Sequence, residues 1–385
     1  MAAAAILAVA GGIRLAGRSQ PPTLVNWSMT RRLALNLSNA HAEPKPSPEL
    51  IATYADFVEC SYSAVGKYIE FPTPPETDAF RVMRREDWIN ANLSNFHRIL
   101  HPVIQGYDHA QVSGGLGSRV LGTATRYGVS TQIGVLLGFL GRRVLGQYDI
   151  PLLDPDAGPA QIYFIDANLR VVADRAAVPI DALRFWVTLH EVTHAFQFHA
   201  GDPPWLHGYT SDLLTEYLEE AIEMLRRSDA LRARLREAVR GIQQGRLNDA
   251  GLLRVALSPK QMQTLETIQA LMTVMEGYSN HVMNAVGAHM IPGYEHLQKR
   301  MHAREQSRST SVRVLTRLLG LDMKLEQYRI GEAFVNEVVD QRGLRFVNKL
   351  WEGPAHLPSL PETRDPAGWI ARLESSAPKA SKTPG

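Results

Sequence analysis

Phe185-Trp186-Val187-Thr188-Leu189-His190-Glu191-Val192-Thr193-His194-Ala195-Phe196-Gln197-Phe198 is the stretch on which the reading of this chain turns. Its apolar residues, with Ile180 and Leu183 before them, recur at helical spacing. Asp181 after Pro179 reads as an N-cap, and Gly201 followed by Pro203-Pro204 reads as the stop. The two histidines therefore lie inside a helix of about five turns. Being four residues apart, both imidazoles leave the same face, one above the other. Two neutral ring nitrogens so placed can share one Zn²⁺ at about 2.0–2.1 Å each. Glu191 stands beside the first, where a carboxylate can take a proton from water activated by the metal. The plainer reading, a buried helix with two satisfied histidines, leaves that carboxylate in an apolar run without a partner.

A catalytic zinc takes three protein ligands and keeps one position for solvent. The pattern in which a third histidine follows closely is rejected, because Gln197 stands at its glycine position and Ala200 at its histidine position. His199, five residues past His194, is rotated off the ligand face. An acid on another helix remains. Glu216, Glu219 and Glu220 lie in a stretch charged on several sides, which reads as solvated. Glu276 lies in Leu271-Met-Thr-Val-Met-Glu-Gly-Tyr-Ser-Asn-His-Val-Met283, a largely apolar helix where a lone carboxylate needs a metal, a buried Arg or a Tyr. Glu276 is the preferred third ligand over the other acids. Asn280, one turn on, shares its face and can hydrogen-bond the outer nitrogen of a ligand histidine. Gly277 allows the two ligand helices to approach closely. Tyr328, Tyr278, His281 and His207 are candidates for stabilising an oxyanion. Tyr328 is preferred for its place in Lys324-Leu-Glu-Gln-Tyr-Arg-Ile-Gly331, with core packing as its other reading.

The remaining sequence bounds the answer. With 385 residues the chain can bury a large core, and a net charge of +2 without a basic stripe gives no reason to expect nucleic acid as a partner. Cys60 is the sole cysteine, so no intrachain disulfide forms and a reducing compartment is favoured. Residues 2–12 are apolar, but the first basic residue, Arg14, follows them, which is the wrong order for a signal peptide. They are also too few to span a bilayer. A cytoplasmic location is expected, with export or membrane association through this segment as the alternative. Proline-rich 43–48 and 72–76 read as loops. Helical spacing covers 84–100, 212–246, 258–290 and most of 307–350. Gly134, Gly138 and Gly141 fall at helical spacing in a run interrupted by Arg and Gln, which reads as tight helix packing rather than a membrane span. Residues 161–173 hold the clearest strand candidate. The fold class is mainly α, an α+β arrangement with one small sheet element before the helix carrying the histidines. Its parts are an apolar extension over 1–22, one large helical domain over 23–373 and a disordered tail over 374–385.

Val144-Leu-Gly-Gln-Tyr-Asp-Ile-Pro-Leu152, the motif stretch with Pro204-Trp205-Leu206, Met275-Glu-Gly-Tyr-Ser-Asn280, the block ending at Gly331 and Asp365-Pro-Ala-Gly-Trp369 together carry a resemblance. From about Val25 to Arg372 the chain resembles the zincin-like metallopeptidase type 2 family, an actinobacterial domain of unknown function. Some members carry hydrolase labels or are associated with deazaflavin-coenzyme biosynthesis. The resemblance implies a gluzincin-like helical core, with His190, His194 and Glu276 at the metal positions. His207 stands where Arg is expected after Pro-Trp-Leu. The expected activity is zinc-dependent hydrolysis of a peptide or amide bond through a zinc-bound water, with Glu191 as proton acceptor. The other readings are a non-catalytic metal-binding protein and a helical interaction module. The partner is a peptide or amide of unspecified sequence, and no stable membrane span is expected.

Overall fold

Apolar residues at three- and four-residue spacing make most of this chain helical, and short β-branched or aromatic runs make its few strands. The computed structural model describes residues 24–40, 43–72, 74, 79–112, 116–152, 159–226, 258–306 and 322–376. Its first elements are α1 (Trp27–Ser38), α2 (Pro48–Ile69), β1 (Ala79–Val82), α3 (Arg85–Val112), α4 (Leu116–Gly141), β2 (Gly146–Asp149) and β3 (Gln161–Phe164). Then come α5 (Asp166–Ala176), α6 (Ile180–His199), α7 (Leu206–Arg226), α8 (Pro259–Met290) and α9 (Tyr294–Gln306). After these follow α10 (Asp322–Arg342), α11 (Leu344–Val347) and α12 (Pro366–Ser376). The fold is mainly α with one small three-stranded sheet.

The described residues gather into two compact units. One takes its residues from the chain up to Pro44, from Arg84–Arg143 and from Thr215–Met262. Here α1 packs along the glycines of α4. A Cβ added at Gly134 would lie 3.0 Å from the Thr30 carbonyl, and one at Gly138 would lie 2.7 Å from Leu37 Cβ. Small residues thus set the helix separation, as their spacing predicts. Among the described residues no helix is long and apolar enough to cross a membrane. Glu216 and Glu220 pair with Lys260 at 3.2 and 3.6 Å, in keeping with their solvated reading.

The other unit takes Lys45–Met83, Val144–Leu214 and the chain from Gln263. Its sheet has the order β1-β3-β2, with β1 parallel and β2 antiparallel to the central β3. Phe164 and Ile162 of β3 are fully buried, and Phe164 stacks on Tyr54 of α2 at 4.6 Å. Helix α6 packs against α2, α5 and β2. Tyr62 of α2 meets Phe196 of α6, Tyr278 of α8 meets Trp351, and Phe334 of α10 meets Trp369 of α12, and all six residues belong to one buried core.

Three expectations are corrected. The strand expected over 161–173 ends at Phe164, and α5 takes over at Asp166. Leu169, Val172, Ala173 and Ala176 are buried at helical spacing, while Asp166 accepts from Arg170 four residues on and from Arg184. Asp181 does not cap α6: the helix begins at Ile180 with Pro179 at the cap, and Asp181 binds Arg184 at 2.8 Å instead. Helix α12 runs to Ser376, beyond the expected start of the tail at 374, because Trp369, Ile370 and Leu373 are buried on its face. The apolar extension over 1–22 and the rest of the tail, 377–385, lie outside the described residues.

Candidate metal centre

Leu183, Leu189, Val192 and Ala195 bury the core-facing side of α6 completely, and Phe196 is 2% exposed. That fixes the helix about its axis and turns His190 and His194 toward α8. There Glu276 stands in a helix whose neighbours Leu271, Val274, Met275 and Tyr278 are buried. His190 Nε2 and His194 Nε2 lie 3.2 Å apart. Glu276 Oε2 is 3.3 Å from the first and 3.8 Å from the second. The structure thus brings together the three residues that the sequence nominated as ligands, with every ligand atom within 4.8 Å of the others.

The donor set can be tested against an ion. In a tetrahedral zinc site with bonds of about 2.0–2.1 Å, neighbouring ligand atoms lie about 3.3 Å apart. The nitrogen pair and the closer nitrogen–oxygen pair match that edge length. Two imidazoles with one carboxylate are also a donor set borderline metals favour. These residues fit a divalent ion of that kind, and the group contains three donors.

Surrounding groups orient the ligands. A side-chain hydrogen bond with Asn280 favours the charged form of His190. His194 Nδ1 lies 2.8 Å from Gln197 Oε1 and 3.2 Å from Ser279 Oγ. Burial disfavours the charged imidazole of His190, but the Glu276 hydrogen bond and the charges of Glu191 and Glu276 outweigh it and raise its pKa. Glu191 is 6% exposed. Burial pushes its carboxyl up to about 7, and the charge of Glu276 acts in the same direction. His190 and a hydrogen bond from the Tyr148 backbone N–H pull the other way. A bound cation would lower the value further.

Strand β2 comes close to Glu191. A Cβ at Gly146 would sit 2.5 Å from Glu191 Oε1, so only glycine lets the carboxylate lie there. The block Val144–Leu152 carries the family resemblance, but nothing in the sequence placed Gly146 beside Glu191, since β2 is four residues of mixed polarity. Gln197 offered a signal that the sequence reading passed over: it is the polar residue of an apolar run, one turn past His194.

Other expectations fare differently. Gly277 does allow a close helix approach, but the partner is α10: a Cβ there would lie 2.1 Å from the carbonyl carbon of Gly331. Of the oxyanion candidates, Tyr278 is fully buried and donates to Asn348 Oδ1 at 2.8 Å. His281 has one nitrogen 2.9 Å from the Tyr68 hydroxyl and the other 2.7 Å from Asn336 Oδ1. His207 is exposed, with Nε2 3.4 Å from the Pro151 carbonyl. Tyr328 lies on α10, and its side chain falls outside the described residues. His199 is exposed and turned to the Ala195 carbonyl at 2.8 Å, off the ligand face as expected.

A helical core thus presents two imidazoles and a carboxylate to one point, beside a buried second carboxylate. A family model described as zincin-like metallopeptidase matches residues 25–370, and the chain belongs to that family. A solved structure from Chloroflexus aurantiacus, described as a "putative hydrolase with a novel fold", is 33% identical, with a TM-score of 0.64. The match covers 91% of this chain and 99% of that one. No curated protein matches the chain.

Proposed function

We propose that this protein is a zinc-dependent hydrolase of peptide or amide bonds, with His190, His194 and Glu276 as the ligands and Glu191 as the general base. The convergence of the His190, His194 and Glu276 ligand atoms within 4.8 Å, in a chain of the zincin-like family, carries the reading. Zinc bound by this group would act as a Lewis acid toward a carbonyl and make water acidic near neutral pH. Glu191 takes the proton of the attacking water and returns it to the nitrogen that departs as the C–N bond breaks. A buried carboxylate with a raised pKa suits both halves of that exchange. Asn280 and Gln197 hold the imidazoles in place. Among the described residues the cluster has three donors, and this favours turnover over a structural role, since structural sites are closed by a fourth protein ligand.

The test is hydrolysis of a peptide library by the zinc-loaded chain. Cleavage by wild type that is lost in Glu191→Gln, with zinc retained in both, supports the reading. Equal cleavage by both, or none by wild type, contradicts it.

A further inference from the structure

Gln197 is 1% exposed at the junction of α6 and α8. Its Nε2 lies 2.9 Å from the Met275 carbonyl oxygen and 3.3 Å from Ser279 Oγ, while its Oε1 lies 2.8 Å from His194 Nδ1. A backbone carbonyl only accepts hydrogen bonds, so the Gln197 atom facing Met275 is the NH₂ group. Its oxygen then faces His194. That oxygen also only accepts, so His194 Nδ1 carries the proton. The lone pair of this imidazole is consequently on Nε2, the atom 3.2 Å from His190 Nε2 and 3.8 Å from Glu276 Oε2. Turning the amide over would set two oxygens 2.9 Å apart in a buried place. A carbonyl that cannot change its role thus decides which nitrogen of His194 faces the ligand cluster.

We propose that Gln197 is a positioning residue of the metal centre, holding His194 in its Nδ1–H tautomer and tying that imidazole to the residue preceding Glu276. The inference rests on the metal reading above. Met275 adjoins Glu276, so one neutral amide fixes both the direction of one ligand and the seat of another. An amide also does this without a further negative charge beside Glu191 and Glu276, where a carboxylate would be costly to bury.

The test uses the full chain and two readouts that do not depend on catalysis. The first is ¹⁵N NMR of the histidine rings in metal-free protein, which reports the tautomer of His194. The second is zinc affinity, measured by competition with a chromophoric chelator. Wild type is expected in the Nδ1–H tautomer, and Gln197→Leu is expected to bind zinc about 10–100-fold more weakly. In Gln197→Glu a carboxyl group that keeps its proton donates to the Met275 carbonyl and still accepts from Nδ1 through its other oxygen, so its affinity should stay well above that of the leucine variant, whatever happens to melting temperature. Where Gln197→Leu fails to fold, the wild-type tautomer carries the test. An Nε2–H tautomer in wild type, wild-type affinity in Gln197→Leu, or equal loss in both variants would overturn the proposal. A wild-type chain with the Nδ1–H tautomer that binds no zinc would instead overturn the metal reading.

Discussion

Glu191 is held between a helix and a strand: α6 supplies its backbone, and β2 supplies an amide donor and a glycine that leaves it room. Replacing it by Gln keeps the shape and removes the base. The expected result is full zinc occupancy with turnover reduced about 10²–10⁴-fold, read by metal analysis and steady-state kinetics on one preparation. Gly146→Ala is a second, independent probe. The new methyl group would sit 2.5 Å from Glu191 Oε1 and push the carboxylate aside, so hydrolysis should fall while zinc affinity holds. Unchanged turnover in Gly146→Ala would show that the carboxylate does not need its present position. The cluster of His190, His194 and Glu276 was legible in the sequence because each residue left a local trace. Two histidines one turn apart must share a face, and Glu276 is the lone acid of the largely apolar stretch from Leu271 to Met283. The room that Gly146 leaves for Glu191 left no such trace, since it appears only where β2 packs against α6.

At the scale of elements, long helices and the start of β3 were readable, and the strands β1 and β2 were not. The period of α6 and α8 repeats over many residues, whereas β1 and β2 have four each and depend on β3 to pair with. Residues 161–173 misled because β-branched Val171 and Val172 belong to a helix whose start is fixed by distant partners of Asp166. That aspartate accepts from Tyr54 at 3.0 Å, Arg170 at 2.7 Å and Arg184 at 2.8 Å, joining α2, α5 and α6. Burial raises its pKa, but the hydrogen bonds and charges of Arg184 and Arg170 outweigh burial and leave it below the ordinary value. Its contribution to stability is therefore present above the unfolded carboxylate pKa and is lost as pH falls through the folded value. Asp166→Ala leaves Arg184 buried without its main partner and should cost about 3–5 kcal/mol by urea denaturation at neutral pH. A loss under 1 kcal/mol would show that the junction of the three helices does not rely on this pair.

For the whole molecule, the prediction concerns where metal acts. Zinc that binds only the folded chain adds about 2.7 kcal/mol to its stability at a free concentration one hundred times Kd. His190→Ala should abolish that increment. The ligands all belong to the unit containing α6 and the greater part of α8. Zinc should therefore slow amide exchange over α6 and around Glu276 more than in α1 and α4, a pattern that hydrogen-exchange mass spectrometry reads directly. Equal protection throughout would argue against a single local site.

Two imidazoles and one carboxylate from a separate helix are expected to hold one ion. Diffraction from zinc-soaked crystals, collected above and below the zinc absorption edge, tests it most directly. The account predicts one strong anomalous peak between His190 Nε2, His194 Nε2 and Glu276, absent in His190→Ala crystals. A zinc peak elsewhere, with none at these three side chains, would contradict it.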